Sequence, residues 1–251
     1  MDKLLIFDDV SCRDYGVDTL KNISLDIERG ENVIIFGPEN SGQQLVCPLI
    51  AGSAEILEGD IYYNDKSIKN LNFLDKIIYK KEIGYLSRVA GLFSNMTVEE
   101  NISLPLQYHS HMTALEIKQY VEELMTELSL TTCKDKRPVD LSRAEVLKTA
   151  YARATVFDPD LVMIEHAFDG QSHLHLLSFF DVLSKRVERK EKAIIFVTFN
   201  PQSFLTIAHK LIMFYGNKIV FTGTPDEYLN TENPYVVQYR IMSKSGPMIL
   251  A

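Results

Sequence analysis

Apolar residues in this chain gather into short bounded runs, separated by longer stretches in which apolar and polar positions alternate at helical spacing. Leu4 to Val10 and Ile23 to Ile27 read as strands joined across Tyr15-Gly16. Val33 to Phe36, Leu161 to Ile164, Ala193 to Thr198 and Leu211 to Phe214 are continuous runs of the buried-strand type, and Ile83 to Leu86 is a shorter one. Gly59 to Asp65 has the form of a hairpin strand and turn. Gly216-Asn217 suits a hairpin turn between Met213-Phe214 and Ile219 to Phe221. Helical pattern fills the intervals. Thr97-Val98-Glu99-Glu100 and Thr113-Ala114-Leu115-Glu116 are capping boxes, and Ile117, Tyr120, Val121, Leu124 and Leu128 make one apolar face. Leu174 to Arg189 and Pro201 to Ile207 also read as helical, and the tail from about Pro225 as polar. Strands alternating with helices predict an α/β domain.

The run Val33 to Phe36 leads into Gly37-Pro38-Glu39-Asn40-Ser41-Gly42-Gln43-Gln44, and Leu45 to Ala51 reads as a helix start. Strand, glycine loop and helix form the frame of a phosphate-binding P-loop, with Gly37 and Gly42 at the spacing G-x-x-x-x-G. Asn40 tolerates a left-handed backbone. The reactive groups are absent: Gln43 replaces the lysine that reaches the phosphates, and Gln44 replaces the hydroxyl that holds magnesium. A unit charge at roughly 4 Å is worth about 4 kcal/mol at an effective dielectric near 20, and glutamine supplies none of it. Helix N-terminal amides retain an attraction for anions. Pro48, inside the expected helix, predicts a kink.

Composition narrows the class. The chain has 251 residues, 46% of them hydrophobic, which suits one large domain or a core with a subsidiary lobe. With 26 basic and 34 acidic residues the net charge is −8, which argues against nucleic acid as a partner. Cys12, Cys47 and Cys133 are far apart and lack ligand spacing, as expected in a reducing compartment. No apolar run has membrane-span length, and the N-terminus is too short and acidic for a signal peptide. The expectation is a cytoplasmic protein.

With these pieces in order, the chain resembles the nucleotide-binding subunit of an ABC transporter, most closely the ATPases of Mce/Mla-type lipid transporters. Leu20 to Ser24 before the loop and Ala51-Gly52 after it carry the likeness. So do Leu92-Phe93-x-x-Met96-Thr97-Val98-x-x-Asn101-Ile102-x-Leu104-Pro105-Leu106 and Phe168-x-Gly170-Gln171. Asn233 to Tyr239, followed by Gly246-Pro247, resembles that subgroup's C-terminal extension. The resemblance implies an α/β P-loop ABC-type nucleotide-binding domain over 1–225, with an antiparallel β-subdomain and a helical subdomain near 88–155. Residues 226–251 would be the extension.

The same alignment shows the catalytic positions replaced. Glu165 stands for the Walker B aspartate, one methylene longer, and His166 for the glutamate that polarises water. Arg88 stands for the Q-loop glutamine, Ser172 for the D-loop aspartate and Phe199 for the switch histidine. The signature expected as Leu-Ser-Gly-Gly-Gln is Leu141-Ser142-Arg143-Ala144-Glu145, and Glu145 would repel phosphate. By resemblance the nucleotide-binding positions are Tyr15, Gly37, Asn40, Ser41, Gly42, Gln43, Gln44 and Arg88, with Tyr15 either stacking on adenine or packing in the core. His166 is a substitute base or a structural residue. Arg88 and Arg143 form a cationic pocket or surface ion pairs. His109 and His111, like His173 and His175, lack a third ligand and read as exposed polar residues, and Lys185 to Lys192 as a solvated helix end.

The function expected is an ABC ATP-binding-subunit homologue acting as a pseudo-ATPase scaffold or regulator of an Mce/Mla-like lipid transport system. It would lie at the inner face of the membrane and dock on a transmembrane permease through the groove around Arg88 to Met96. It would pair as a homodimer or with an active ABC ATPase. ATP and magnesium would be held weakly, and no metal is expected otherwise. The alternatives are a sensor that binds nucleotide or another anion without hydrolysis, and a slow noncanonical ATPase.

Overall fold

The computed structural model describes residues 2–14, 17–170, 179, 182–183 and 192–249, with backbone alone at 14 and 17–19. The Tyr15-Gly16 turn, Ser172, His173, His175 and most of the helical stretch from Leu174 to Arg189 lie outside them.

Two sheets carry the fold. β1 (Lys3–Asp14) pairs antiparallel with both β2 (Val17–Glu28) and β4 (Glu55–Tyr63). Beyond β4 lies the two-residue β5 (Lys66–Ser67), so the order is β2-β1-β4-β5. The second sheet has the order β10-β9-β3-β8-β7-β6. Its members are β3 (Asn32–Phe36), β6 (Ile83–Leu86), β7 (Leu161–Glu165), β8 (Ala193–Thr198), β9 (Lys210–Tyr215) and β10 (Lys218–Gly223). All are parallel except β10, which closes a hairpin on β9.

The apolar runs are continuous because both faces of this sheet are covered. Ile34, Phe36, Val162, Ile164, Ile194 and Phe196 face one core, whereas Val33, Ile35, Leu161, Met163, Ile195 and Val197 face the other. Full burial of such a side chain contributes about 1.5–3 kcal/mol. The first core is shared with α3 (Val98–His109), α4 (Ala114–Glu127) and α5 (Arg143–Thr155). Capping boxes start all three, two of them the boxes read from sequence. On α4 the buried positions are Ile117, Val121 and Met125, with Tyr120 and Leu124 half-buried beside them. α2 (Phe73–Lys81) begins at an Asn72 cap and runs into β6.

Two elements differ from the sequence expectation. Leu45 to Ala51 is not one helix: a 3₁₀ turn spans Gln43–Leu45, and α1 spans only Val46–Ile50. Pro48 therefore falls in the first turn of α1, where its missing N–H has no helical partner to lose, and no kink results. The tail after Pro225 is also more than polar. α6 (Pro225–Asn230) and α7 (Pro234–Arg240) bury Tyr228 and Val236 completely, and Met248 nearly so. One or two buried residues per short helix leave no period to see in the sequence. Pro201 to Ile207 contributes a 3₁₀ turn at Pro201–Phe204.

Candidate functional site

The carboxyl ends of β3, β7 and β8 are adjacent, which is where ligands sit on open α/β sheets. From β3 the chain enters the glycine loop. A Cβ on Gly37 would run into the Phe214 carbonyl oxygen, and Gly42 has φ of 105°, so both positions require glycine. Asn40 is left-handed at φ 58°. The loop rests on the β9–β10 turn, whose Asn217 N–H donates to the Ser41 carbonyl at 3.0 Å.

Gln43 does not reach outward. It is fully buried, and its Nε2 donates to the carbonyls of Pro38 (3.0 Å) and Gly37 (3.3 Å), while its Oε1 accepts from the Ser41 hydroxyl. Gln44 turns back in the same way, its Oε1 accepting from the Gly42 N–H at 3.1 Å. The glutamine side chains thus close the loop on itself, and one of the amides that would greet an anion is already used. With α1 only five residues long, the helix-dipole attraction expected from sequence has little helix behind it.

At the end of β7, Glu165 accepts a hydrogen bond from the Tyr85 hydroxyl on β6. Burial, with Glu165 as hydrogen-bond partner, pushes the Tyr85 phenol far up, and burial beside Glu165 does the same to the Cys47 thiol. His166 follows with a left-handed backbone, φ 49°, and is nearly buried. Its Nδ1 meets Asp169 Oδ2 at 2.6 Å, and its ring stacks on Phe199 with centroids 4.2 Å apart. Asp169 gathers the two strand ends: it also accepts from the Thr198 hydroxyl at 2.6 Å and the Phe199 N–H at 3.2 Å. Burial alone would raise its pKa, but the bonds from His166, Thr198 and Phe199 outweigh it and hold the carboxyl below its usual range. His166 and Phe199 are therefore brought together, as partners of a closed cluster.

The signature positions lie at the start of α5. Ser142 is the N-cap, and Glu145 folds back on it, accepting from the Ser142 N–H and hydroxyl, both at 2.7 Å. Those two bonds hold the Glu145 carboxyl below its usual range. The end of the helix thus already carries an anion of its own. Ala144 is half-buried beside the exposed Arg143. Arg143 donates to the backbone carbonyl of Arg88 at 3.0 Å, so the two arginines meet through one backbone oxygen rather than as paired cations. Neither has an ion pair among the described residues. The segment after Arg88 is held by Arg153, which donates to the Ala90 carbonyl at 3.1 Å and to Asn101 Oδ1 at 3.4 Å. Fully buried Asn101 in turn binds the Phe93, Met96 and Thr97 carbonyls.

Two residues here were not picked out as site residues from sequence. Asp169 lies inside the Phe168-x-Gly170 motif with nothing local to mark it. Tyr239 ends the extension motif, and its hydroxyl reaches the carbonyls of Phe199 (2.8 Å) and Gly37 (3.2 Å). Its ring packs on Phe36, and burial, helped by nearby Asp169, pushes its phenol up. Tyr15 lies outside the described residues.

Magnesium and ATP do not fit this donor set. The lysine and hydroxyl positions are amides committed to the loop, and the carboxylates of Glu165 and Asp169 are engaged by Tyr85 and by His166, Thr198 and Phe199.

Residues 20–168 match the family model described as ABC transporter. The chain is 25% identical to the intermembrane phospholipid transport system ATP-binding protein MlaF of Haemophilus influenzae, over 90% of this chain and 86% of that protein. It is 27% identical to the sulfate/thiosulfate import ATP-binding protein CysA 1 of Agrobacterium fabrum, over 92% of this chain and 66% of that one. It is also 31% identical to the spermidine/putrescine import ATP-binding protein PotA of Thermotoga maritima, over 83% of this chain but only 55% of the relative. Among solved structures, cbiO1 of Clostridium perfringens, part of the ABC transporter complex cbiONQ, superimposes with a TM-score of 0.81 at 20% identity, covering 96% of this chain and 97% of that one. The ATP-binding cassette MJ0796, in a dimeric post-hydrolysis state bound to ADP and Pi, gives 0.80 at 21% identity, over 88% and 98%. These two likenesses establish the fold.

Proposed function

This chain belongs to the ABC transporter family, and from that premise we propose that it is a pseudo-ATPase, a scaffold or regulatory subunit that keeps the ATP-binding fold without turnover. The observation that carries this reading is that both halves of an ABC site are filled from within. The Gln43 amide occupies the phosphate loop, and the Glu145 carboxylate caps the signature helix. Phosphoryl transfer depends on positioned charge, and neither half presents it. Pairing with an intact ATPase would still build two impaired sites, because each site joins one subunit's loop to the other's signature. The nucleotide positions and the helical and C-terminal divisions near 88–155 and 226–251 enter this proposal on the strength of the family resemblance.

The system served is, in this reading, an Mce/Mla-like lipid transporter. The likeness to MlaF along most of both chains supports it. No described helix is long and apolar enough to cross a membrane, so association with the membrane's inner face would come through a permease. A cavity of about 530 Å³ beside the Arg88 to Met96 segment suits that contact. Phe93, Leu104, Pro105, Tyr108 and Phe157 line it, together with Lys80, Lys81 and Arg153. Its partner would be an amphipathic helix of the permease that carries acidic residues.

The test is an equilibrium titration of the purified protein with ATP, with and without magnesium, and phosphate release followed in the same samples. The expected result is no magnesium-dependent release. Release that Glu165→Gln or His166→Ala abolishes would overturn the pseudo-ATPase reading. Binding without release would favour the sensor.

A further inference from the structure

We propose that the outer face of α2 is a membrane-contact surface that rests on the headgroup layer of an anionic phospholipid bilayer. This helix carries large apolar residues on its outer side. Tyr79 is its inward anchor, buried with its hydroxyl on the Ile50 carbonyl at 2.5 Å and its ring edge-on to Tyr63. Helical rotation of about 100° per residue then puts Phe73 and Leu74 on the side away from Tyr79, with Ile78 at its margin, while half-buried Ile77 lines the neighbouring cavity. Phe73 is 77% exposed, Leu74 69% and Ile78 54%. Large apolar residues crowded on one short exposed face are unusual on a surface facing only water.

Charge selects the occupant: α2 itself exposes Lys76 and Lys80, and the surrounding sequence is basic. Residues 66–88 hold six basic residues (Lys66, Lys69, Lys76, Lys80, Lys81 and Arg88) and two acidic ones (Asp75 and Glu82), within a chain of net charge −8. Lys81 is partly committed, donating to the His109 carbonyl and lying 5.3 Å from the centre of the Phe157 ring. Lys66, Lys69, Lys76, Lys80 and Arg88 are exposed. Exposed apolar residues able to enter the interface, with exposed lysines on the same helix, match an anionic lipid surface in both chemistries. Lys80 is shared with the neighbouring cavity, whereas Phe73, Leu74, Lys76 and Ile78 lie outside its lining, and the lipid contact does not depend on whether the chain hydrolyses ATP.

The experiment is co-sedimentation of the full chain with vesicles of equal parts phosphatidylglycerol and phosphatidylcholine, against vesicles of phosphatidylcholine alone. Binding is expected to the anionic vesicles and to fall with added salt. Lys76→Gln and Lys80→Gln should each weaken it about fivefold, as expected for one lysine near such a surface. Phe73→Ser with Leu74→Ser should weaken it at least as much. All four side chains are exposed, so an unchanged melting temperature certifies that the variants fold. No binding to anionic vesicles would overturn the lipid contact and leave the face to a protein partner. Equal binding to both vesicle types, or unchanged binding of the variants, would also overturn it.

Discussion

Gln43 and Asp169 show how much a single side chain's direction decides. A glutamine at the lysine position removes a charge, and that is legible in the sequence. Its burial under the Gly37 and Pro38 carbonyls is not, because those acceptors exist only once the loop has closed. Asp169 was invisible for a related reason: its partners Thr198 and Phe199 come from another strand. Removing its charge by Asp169→Asn should leave His166 and the Thr198 hydroxyl poorly paired, at a cost of about 1–3 kcal/mol near pH 7. Because the folded pKa of Asp169 is depressed, its contribution is complete above the unfolded value near about 3.9 and is lost as pH falls through the folded one. Urea unfolding of both proteins should therefore show a gap that is widest above about pH 4 and closes below it. A gap that persists unchanged in stronger acid would mean that Asp169 does not act through its charge.

Among the elements, the capping boxes of α3 and α4 were readable because their partners stand three residues apart. α7 was not, since what anchors it is distant. Asn233 caps it and donates to the Val220 carbonyl at 2.9 Å. Gln238 exchanges hydrogen bonds with the backbone of Met248, and Arg240 donates to the Tyr228 and Leu229 carbonyls. The helix so fixed places the Tyr239 hydroxyl between the phosphate loop and the strand end at Phe199. Tyr239→Phe keeps the ring on Phe36 and removes only that bridge. It should cost about 1 kcal/mol and speed amide hydrogen exchange in the segments 37–44 and 199–204. Unchanged exchange in both segments would show that the extension does not brace the loop.

On the scale of the whole molecule, the two sheets and the α3–α5 layer leave an apolar groove beside α2. Arg153 stiffens its wall: it holds Ala90 and Asn101 and lies 5.7 Å from the Phe93 ring centre, and burial lowers its pKa. If a permease helix seats there, Phe93 and Tyr108 are its natural anchors. Phe93→Ser with Tyr108→Ser should weaken association with a permease partner by about thirtyfold or more, since even one central aromatic anchor is worth about 2 kcal/mol. Retained association would move the docking surface elsewhere. The same variants leave the phosphate loop untouched, so their nucleotide titration should match that of the unaltered protein.

Interactions of short range were decided by the sequence alone. The strand runs, the G-x-x-x-x-G frame and the S/T-x-x-E caps depend on neighbours within a few residues, so their pattern survives in one dimension. So do the identities of Gln43, Gln44 and His166, at the positions where the family resemblance implies lysine, hydroxyl and carboxylate. Tertiary structure decided where the remaining polar groups spend their hydrogen bonds. Tyr239 reaches Gly37 across 202 positions, and Arg153 reaches Ala90 across 63. It also decided that Pro48 opens a short helix instead of kinking a long one, and that Phe73, Leu74 and Ile78 of α2 stay exposed. Such choices follow from which surfaces are already covered when an element packs, and no local pattern holds that information.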